Sequence, residues 1–119
     1  MPIDDIAPEI IDFVDKYIDQ FVDWDVLVYF HENPDVERKA AGVALDIGRR
    51  QATIEPVLHV LVVKGVLEYE SDETSDPNYN YCASAEFRKS MDAFLAATRD
   101  RANRLAIVGK VLQKEARRL

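Results

Sequence analysis

The stretch from Ala40 to Tyr81 constrains this chain more than any other. Ile54, Val57, Leu58 and Leu61 recur at helical spacing, then Lys64-Gly65 stops the pattern. Val66-Leu67-Glu68-Tyr69-Glu70 follows with the alternation of a half-buried strand. Ser71 through Asn78 is polar and holds Asp72, Glu73, Asp76 and Pro77, so it reads as a loop. Tyr79-Asn80-Tyr81-Cys82 alternates again, and two strands around one loop make a hairpin. Upstream, Val36 to Leu45 predicts a helix with Ala40, Ala41, Val43 and Ala44 as small packing residues, and Gly48 closes it. The expectation is two short helices joined by a tight turn, followed by a β-hairpin.

The flanks are helical patterns. Pro8 suits a first helical turn, where its missing N–H costs nothing. Ile10, Ile11, Phe13, Val14, Tyr17, Ile18, Phe21 and Val22 then form one apolar stripe. Asp23 is placed as the N-cap of a second helix that ends near Asn33-Pro34. After Ser84, taken as a cap, one long helix is expected to run to Arg118. Met91, Thr98, Leu105, Leu112 and Leu119 recur every seven residues along it, with Phe87, Phe94 and Val108 at complementary positions. That spacing predicts a seam for a second copy of the chain, with Met91, Phe94, Leu105, Val108 and Leu112 at the dimer interface. The fold class is mostly α with a small β-hairpin: a domain over 1–83 and a long dimerisation helix over 84–119.

Charge limits the functions open to the chain. With 22 acidic and 15 basic residues in 119, it carries −7 and has no bulk attraction to phosphate or to an anionic membrane. Residues 1–35 hold ten acids and one base, whereas 86–119 hold nine bases and four acids. Either the two ends meet, within one chain or between two, or they are solvated faces that never touch. Cys82 is the single cysteine, which excludes an internal disulfide, and no Cys/His spacing fits a zinc site. No leader or membrane-length apolar run is read, so a cytoplasmic location is expected. His31 and His59 stand apart without a nucleophile motif, and four glycines form no phosphate loop. No enzyme activity, cofactor or metal is expected.

Residues 24–83 resemble the winged helix-turn-helix proteins. The resemblance is carried by Ala41, Val43, Ala44, Leu45 and Ile47, then by Ile54, Val57, Leu58, Leu61, Gly65, Val66 and Leu67. With a terminal dimerising helix the chain looks like regulators of the PadR or MarR kind. The resemblance implies a homodimeric transcription regulator whose 51–64 helix enters the major groove of double-stranded DNA. Arg49, Arg50, Gln51 and Thr53 are the candidate DNA contacts, with basic residues of the last helix in support. Its outward face does not suit that task. Ala52, Pro56, His59, Val60 and Val63 offer few hydrogen-bonding groups for base edges. The second expectation is therefore a winged-helix module that binds protein and not DNA, through His59, Val60 and Val63.

Overall fold

The structure is a computed structural model that describes residues 6–71 and 75–118. It is mostly helical, with six helices and one small antiparallel sheet among those residues: α1 (Pro8–Tyr17), α2 (Phe21–Glu32), β1 (Glu37–Lys39), α3 (Ala40–Ile47), α4 (Gln51–Val63), β2 (Leu67–Glu70), β3 (Asn78–Tyr81), α5 (Ala85–Thr98) and α6 (Arg101–Arg117). The chain divides into two compact units. One holds α1, the start of α2, α5 and α6; the other spans Trp24–Ser84. The N-terminal helix thus groups with the C-terminal helices, not with residues 24–83.

The Trp24–Ser84 unit is built around the predicted apolar run. Ile54, Leu58 and Leu61 are essentially inaccessible, and Val43, Ala44, Leu27, Phe30, Val66 and Leu67 are buried in the same unit. Gly48 ends α3 in the left-handed region at φ 83°, and the N–H groups of Gly48 and Arg49 both bond the Ala44 carbonyl at 2.8 and 2.9 Å. Gly65, at φ 79°, plays the same part after α4: Val66 N–H reaches the Leu61 carbonyl at 2.9 Å and Gly65 N–H reaches Val62 at 3.0 Å. These two stops fix where the turn and the first hairpin strand begin.

Two local expectations in this unit are corrected. Residues 37–39 are a strand, not the first turn of a helix. Glu37-Arg38-Lys39 pairs antiparallel with Asn80-Tyr79-Asn78, so the hairpin becomes a three-stranded sheet of order β1-β3-β2. Three charged residues in a row carry no alternation, so the partner strand decides their conformation. The second concerns Pro56: a residue without an N–H is comfortable only in a first turn, so the sequence predicts either a helix that begins near Thr53, with that residue as cap, or a kinked one. Pro56 lies in the second turn of α4, which begins at Gln51 with Arg50 as N-cap. The helix continues past it without the N–H that would have reached Ala52. Thr53 is therefore inside the helix and is not its cap. Asp72 and Glu73 of the predicted loop lie outside the described residues.

The other unit departs further from expectation. The long helix over 84–119 is two helices, broken at Arg99-Asp100. Asp100 caps α6 by accepting the Asn103 N–H at 2.9 Å, which satisfies a first-turn donor and favours a new helix there. The seven-residue row from Met91 through Thr98 to Leu105 crosses this break, so it is not one continuous stripe. Nor is there a single helix from Pro8 to Val22. α1 ends at Tyr17, and α2 starts after a turn at residues 18–20. Asp23 does cap α2, but from inside its first turn: its Oδ2 accepts the backbone N–H groups of Asp19 and Gln20 at 2.8 and 3.1 Å.

The core of this unit is aromatic. Phe13 lies 5.1 Å from Phe94, 5.6 Å from Phe87 and 5.1 Å from Tyr17 between ring centroids, and Tyr17 meets Phe87 edge-on at 4.9 Å. Ile10, Val14, Met91, Ile107 and Val111 complete it. The charge asymmetry is resolved within the chain. Lys110 pairs with Asp15 at 2.9 Å, and Lys114 and Arg118 pair with Asp19 at 3.1 and 3.8 Å. The Lys114 ammonium also donates to the carbonyls of Val14 and Asp15 at 2.8 and 3.1 Å. Glu115 accepts the Phe21 N–H at 2.7 Å, at the start of α2.

Candidate functional site

The candidate DNA contacts lie together at the entry to α4, but they are committed to different tasks. Arg49 is engaged: its Nε and Nη2 donate to Asp25 Oδ2 at 2.9 and 2.6 Å. That carboxylate offsets the charge a phosphate would need. Arg50 is exposed at the N-cap and has no carboxylate partner among the described residues. Gln51 donates from its amide to Glu55 Oε1 at 2.7 Å, one helical turn on. Thr53 is half-buried.

Beyond these, α4 carries no lysine or arginine between Gln51 and Val63. Its open side presents Glu55, His59, Val60 and Val63; Val63 is 87% exposed and Val60 49%. Exposed valines gain nothing from base edges, which reward hydrogen-bonding groups. His59 sits edge-on to Tyr79 at 6.2 Å, and Tyr79 lies directly opposite Tyr69 across β2 and β3. Leu45 on α3 is a further exposed apolar side chain of this unit, at 79%.

A cleft of about 190 Å³ opens between the polar side of α4 and the residues leading into β3. Glu55, His59, Asp76 and Tyr79 line it. Burial, reinforced by the charges of Glu55 and Tyr69, pushes the Tyr79 phenol above its ordinary pKa, so the hydroxyl keeps its proton.

A second polar cluster lies on the same unit and escaped sequence reading. Arg38 on β1 grips Asp46 on α3 with two bonds, Nε to Oδ2 at 3.1 Å and Nη2 to Oδ1 at 2.9 Å. The Tyr29 hydroxyl donates to the same Asp46 at 2.6 Å. Those hydrogen bonds, Tyr29 first and Arg38 second, hold the Asp46 carboxyl below its ordinary range. Burial and then Asp46 raise the Tyr29 phenol. The three groups bind one another, so the cluster ties β1 to α2 and α3. A sequence signal would have needed β1 to be recognised, because only then do Arg38 and Asp46 face each other.

The proposed dimer residues divide. Met91 and Phe94 are inaccessible in the core of their own unit and are withdrawn as interface residues. They looked like a seam because a core stripe and a coiled-coil stripe share their spacing over two turns. Leu105 and Leu112 are 59% and 54% exposed, both on α6, with Val108 half-buried between them. Among the described residues no group of three or more His, Cys, Asp or Glu is placed to hold a metal ion, and no helix is long and apolar enough to cross a membrane. What fold and surface define together is a mostly helical chain with a three-stranded sheet and a helix face free of lysine and arginine beside an acidic cleft. No family model, curated protein or solved structure matches it.

Proposed function

We propose that this chain is a winged-helix protein-interaction module that works as a homodimer. The order α2, β1, α3, α4, β2, β3 supports the winged-helix reading. So does the three-residue, glycine-containing turn between α3 and α4, and so does the sheet order β1-β3-β2. One observation carries the choice of partner: α4, the helix that would enter a DNA groove, has no lysine or arginine and turns Val60 and Val63 to solvent. Groove binding draws most of its affinity from lysine and arginine on phosphate, and a chain at −7 with an acidic cleft beside that helix repels it. Apolar exposed positions on a rigid helix suit a protein partner.

A transcription regulator is the second reading, favoured by one feature. Arg50 stands free at the N-cap of α4, where a helix terminus also attracts phosphate. Anisotropy with a labelled random duplex of about 20 base pairs at about 50 mM salt tests both. The expected result is no change up to about 10 µM protein. In parallel, proteins captured by the chain should be lost when Val63→Asp is used as bait. Duplex binding that disappears with Arg50→Ala would overturn the module in favour of the regulator.

For self-association, the pair Leu105 and Leu112 is two helical turns apart on α6, one edge of a helix about 25 Å long. A second copy laid along it covers both leucines. Leu105→Asp should convert a dimer into a monomer by light scattering. A wild-type chain that already scatters as a monomer would sink the dimer.

A further inference from the structure

The cleft beside α4 has the makings of a specific subsite. Tyr79 is only 2% exposed, yet its hydroxyl has no hydrogen-bond partner among the described residues. No fully covered side-chain oxygen or nitrogen there lacks a partner, so this hydroxyl must still reach open space, and the cleft is the space Tyr79 lines. A phenol held this deep normally finds a partner, because an unmade hydrogen bond is costly. Glu55 and Asp76 line the same cleft, and neither pairs with a cation among the described residues; Glu55 only accepts from the neutral amide of Gln51. His59 and Tyr79 add aromatic surface. The volume, about 190 Å³, exceeds that of an engineered cavity of about 150 Å³ that takes benzene. It therefore suits a flat group of several heavy atoms.

We infer that this cleft holds the guanidinium of an arginine presented by a protein partner. The ligand must be cationic, to meet two uncompensated carboxylates. It must also donate in several directions, because the Glu55 and Asp76 oxygens accept and the Tyr79 oxygen still has lone pairs to offer. A plane that stacks on rings distinguishes guanidinium from ammonium. Phosphate and nucleic acid are repelled by the same carboxylates. The inference rests on the interaction-module reading, and it gives the partner a chemistry: an arginine-bearing segment whose neighbouring apolar residues meet Val60 and Val63.

The test is a ¹H–¹⁵N titration of the full chain with acetyl-Gly-Arg-Gly-amide, set against the same peptide with citrulline or lysine in place of arginine. Saturable shifts are expected at residues 51–59 and 76–79 for arginine. Citrulline, which keeps the shape and loses the charge, should bind at least about tenfold more weakly, as should arginine to Glu55→Gln. Tyr79→Phe removes only the hydroxyl and should weaken binding about three- to tenfold. Glu55 is on the surface, so its variant folds, and an unchanged fingerprint elsewhere in the spectrum checks both variants. Equal binding of citrulline or lysine, shifts centred elsewhere, or indifference to both substitutions would overturn the assignment. Failure here beside a duplex-silent, Val63-dependent partner sinks only the arginine; duplex binding in the anisotropy assay sinks the module reading instead.

Discussion

Phe94→Ala should destabilise the unit formed by α1, α5 and α6 by about 3–5 kcal/mol, the cost of deleting a fully buried phenylalanine from a core that cannot collapse around the gap. Phe94 is completely covered and stacks on Phe13 at 5.1 Å with 29° between the planes. Phe13 in turn touches Phe87 and Tyr17, so one deletion loosens a four-ring cluster. Aromatic pairs of this kind add about 0.5–1.5 kcal/mol each beyond burial. Whole domains are stable by only about 5–15 kcal/mol, so the loss is a large share of what holds the unit together. Amide exchange in α1, α5 and α6 should accelerate by about two to three and a half orders of magnitude, since about 1.4 kcal/mol is tenfold. Phe94→Leu, which fills most of the space, should recover more than half of the loss. A variant whose exchange matches wild type would mean that Phe94 is a surface residue of an assembly, as its seven-residue spacing first suggested.

That ambiguity shows what sequence could and could not resolve. The inward triad Ile54, Leu58 and Leu61 was legible, because helical spacing ended by glycine and followed by alternation leaves few other arrangements. The two hairpin strands were legible for the same reason. β1 was not: Glu37-Arg38-Lys39 has no apolar pattern, and only pairing with β3, some forty residues on, makes it a strand. With β1 missing, the Arg38–Asp46–Tyr29 cluster could not be foreseen. The break at Arg99-Asp100 was overlooked because a heptad row ran straight across it; the cap signal of Asp100 followed by Asn103 was present and outweighed the row. At the candidate site, Arg49 and Arg50 are adjacent and identical in the sequence, and Asp25, on another helix, separates their roles. The cleft was invisible for a related reason: Glu55 and Tyr79 belong to different periodic patterns, and no spacing joins them.

Lys114→Met tests the opposite kind of interaction, a charge that organises backbone, and should cost about 2–4 kcal/mol. The ammonium has three protons and three good acceptors: the Val14 carbonyl at 2.8 Å, the Asp15 carbonyl at 3.1 Å and Asp19 Oδ1 at 3.1 Å. Two of these belong to the last turn of α1, where a cation is favoured by the helix dipole; the Val14 carbonyl shares its lone pairs between the ammonium and the Ile18 N–H at 2.9 Å. The side chain is only 14% exposed, so water does not readily replace it. Methionine keeps the methylene packing and removes the charge, which isolates the hydrogen bonds from the burial. Lys110→Met is the control. Lys110 pairs with Asp15 alone, whose side chain is 53% exposed, and such a pair is worth about 0–1 kcal/mol. The urea midpoint should therefore fall markedly for Lys114→Met and barely for Lys110→Met. High salt should erase the small effect and leave most of the large one, because contacts of a mostly covered ammonium are screened little. Equal effects from the two lysines would show that their contribution is diffuse charge attraction between an acidic N-terminal segment and a basic C-terminal one, and that the ammonium of Lys114 does not tie down the end of α1.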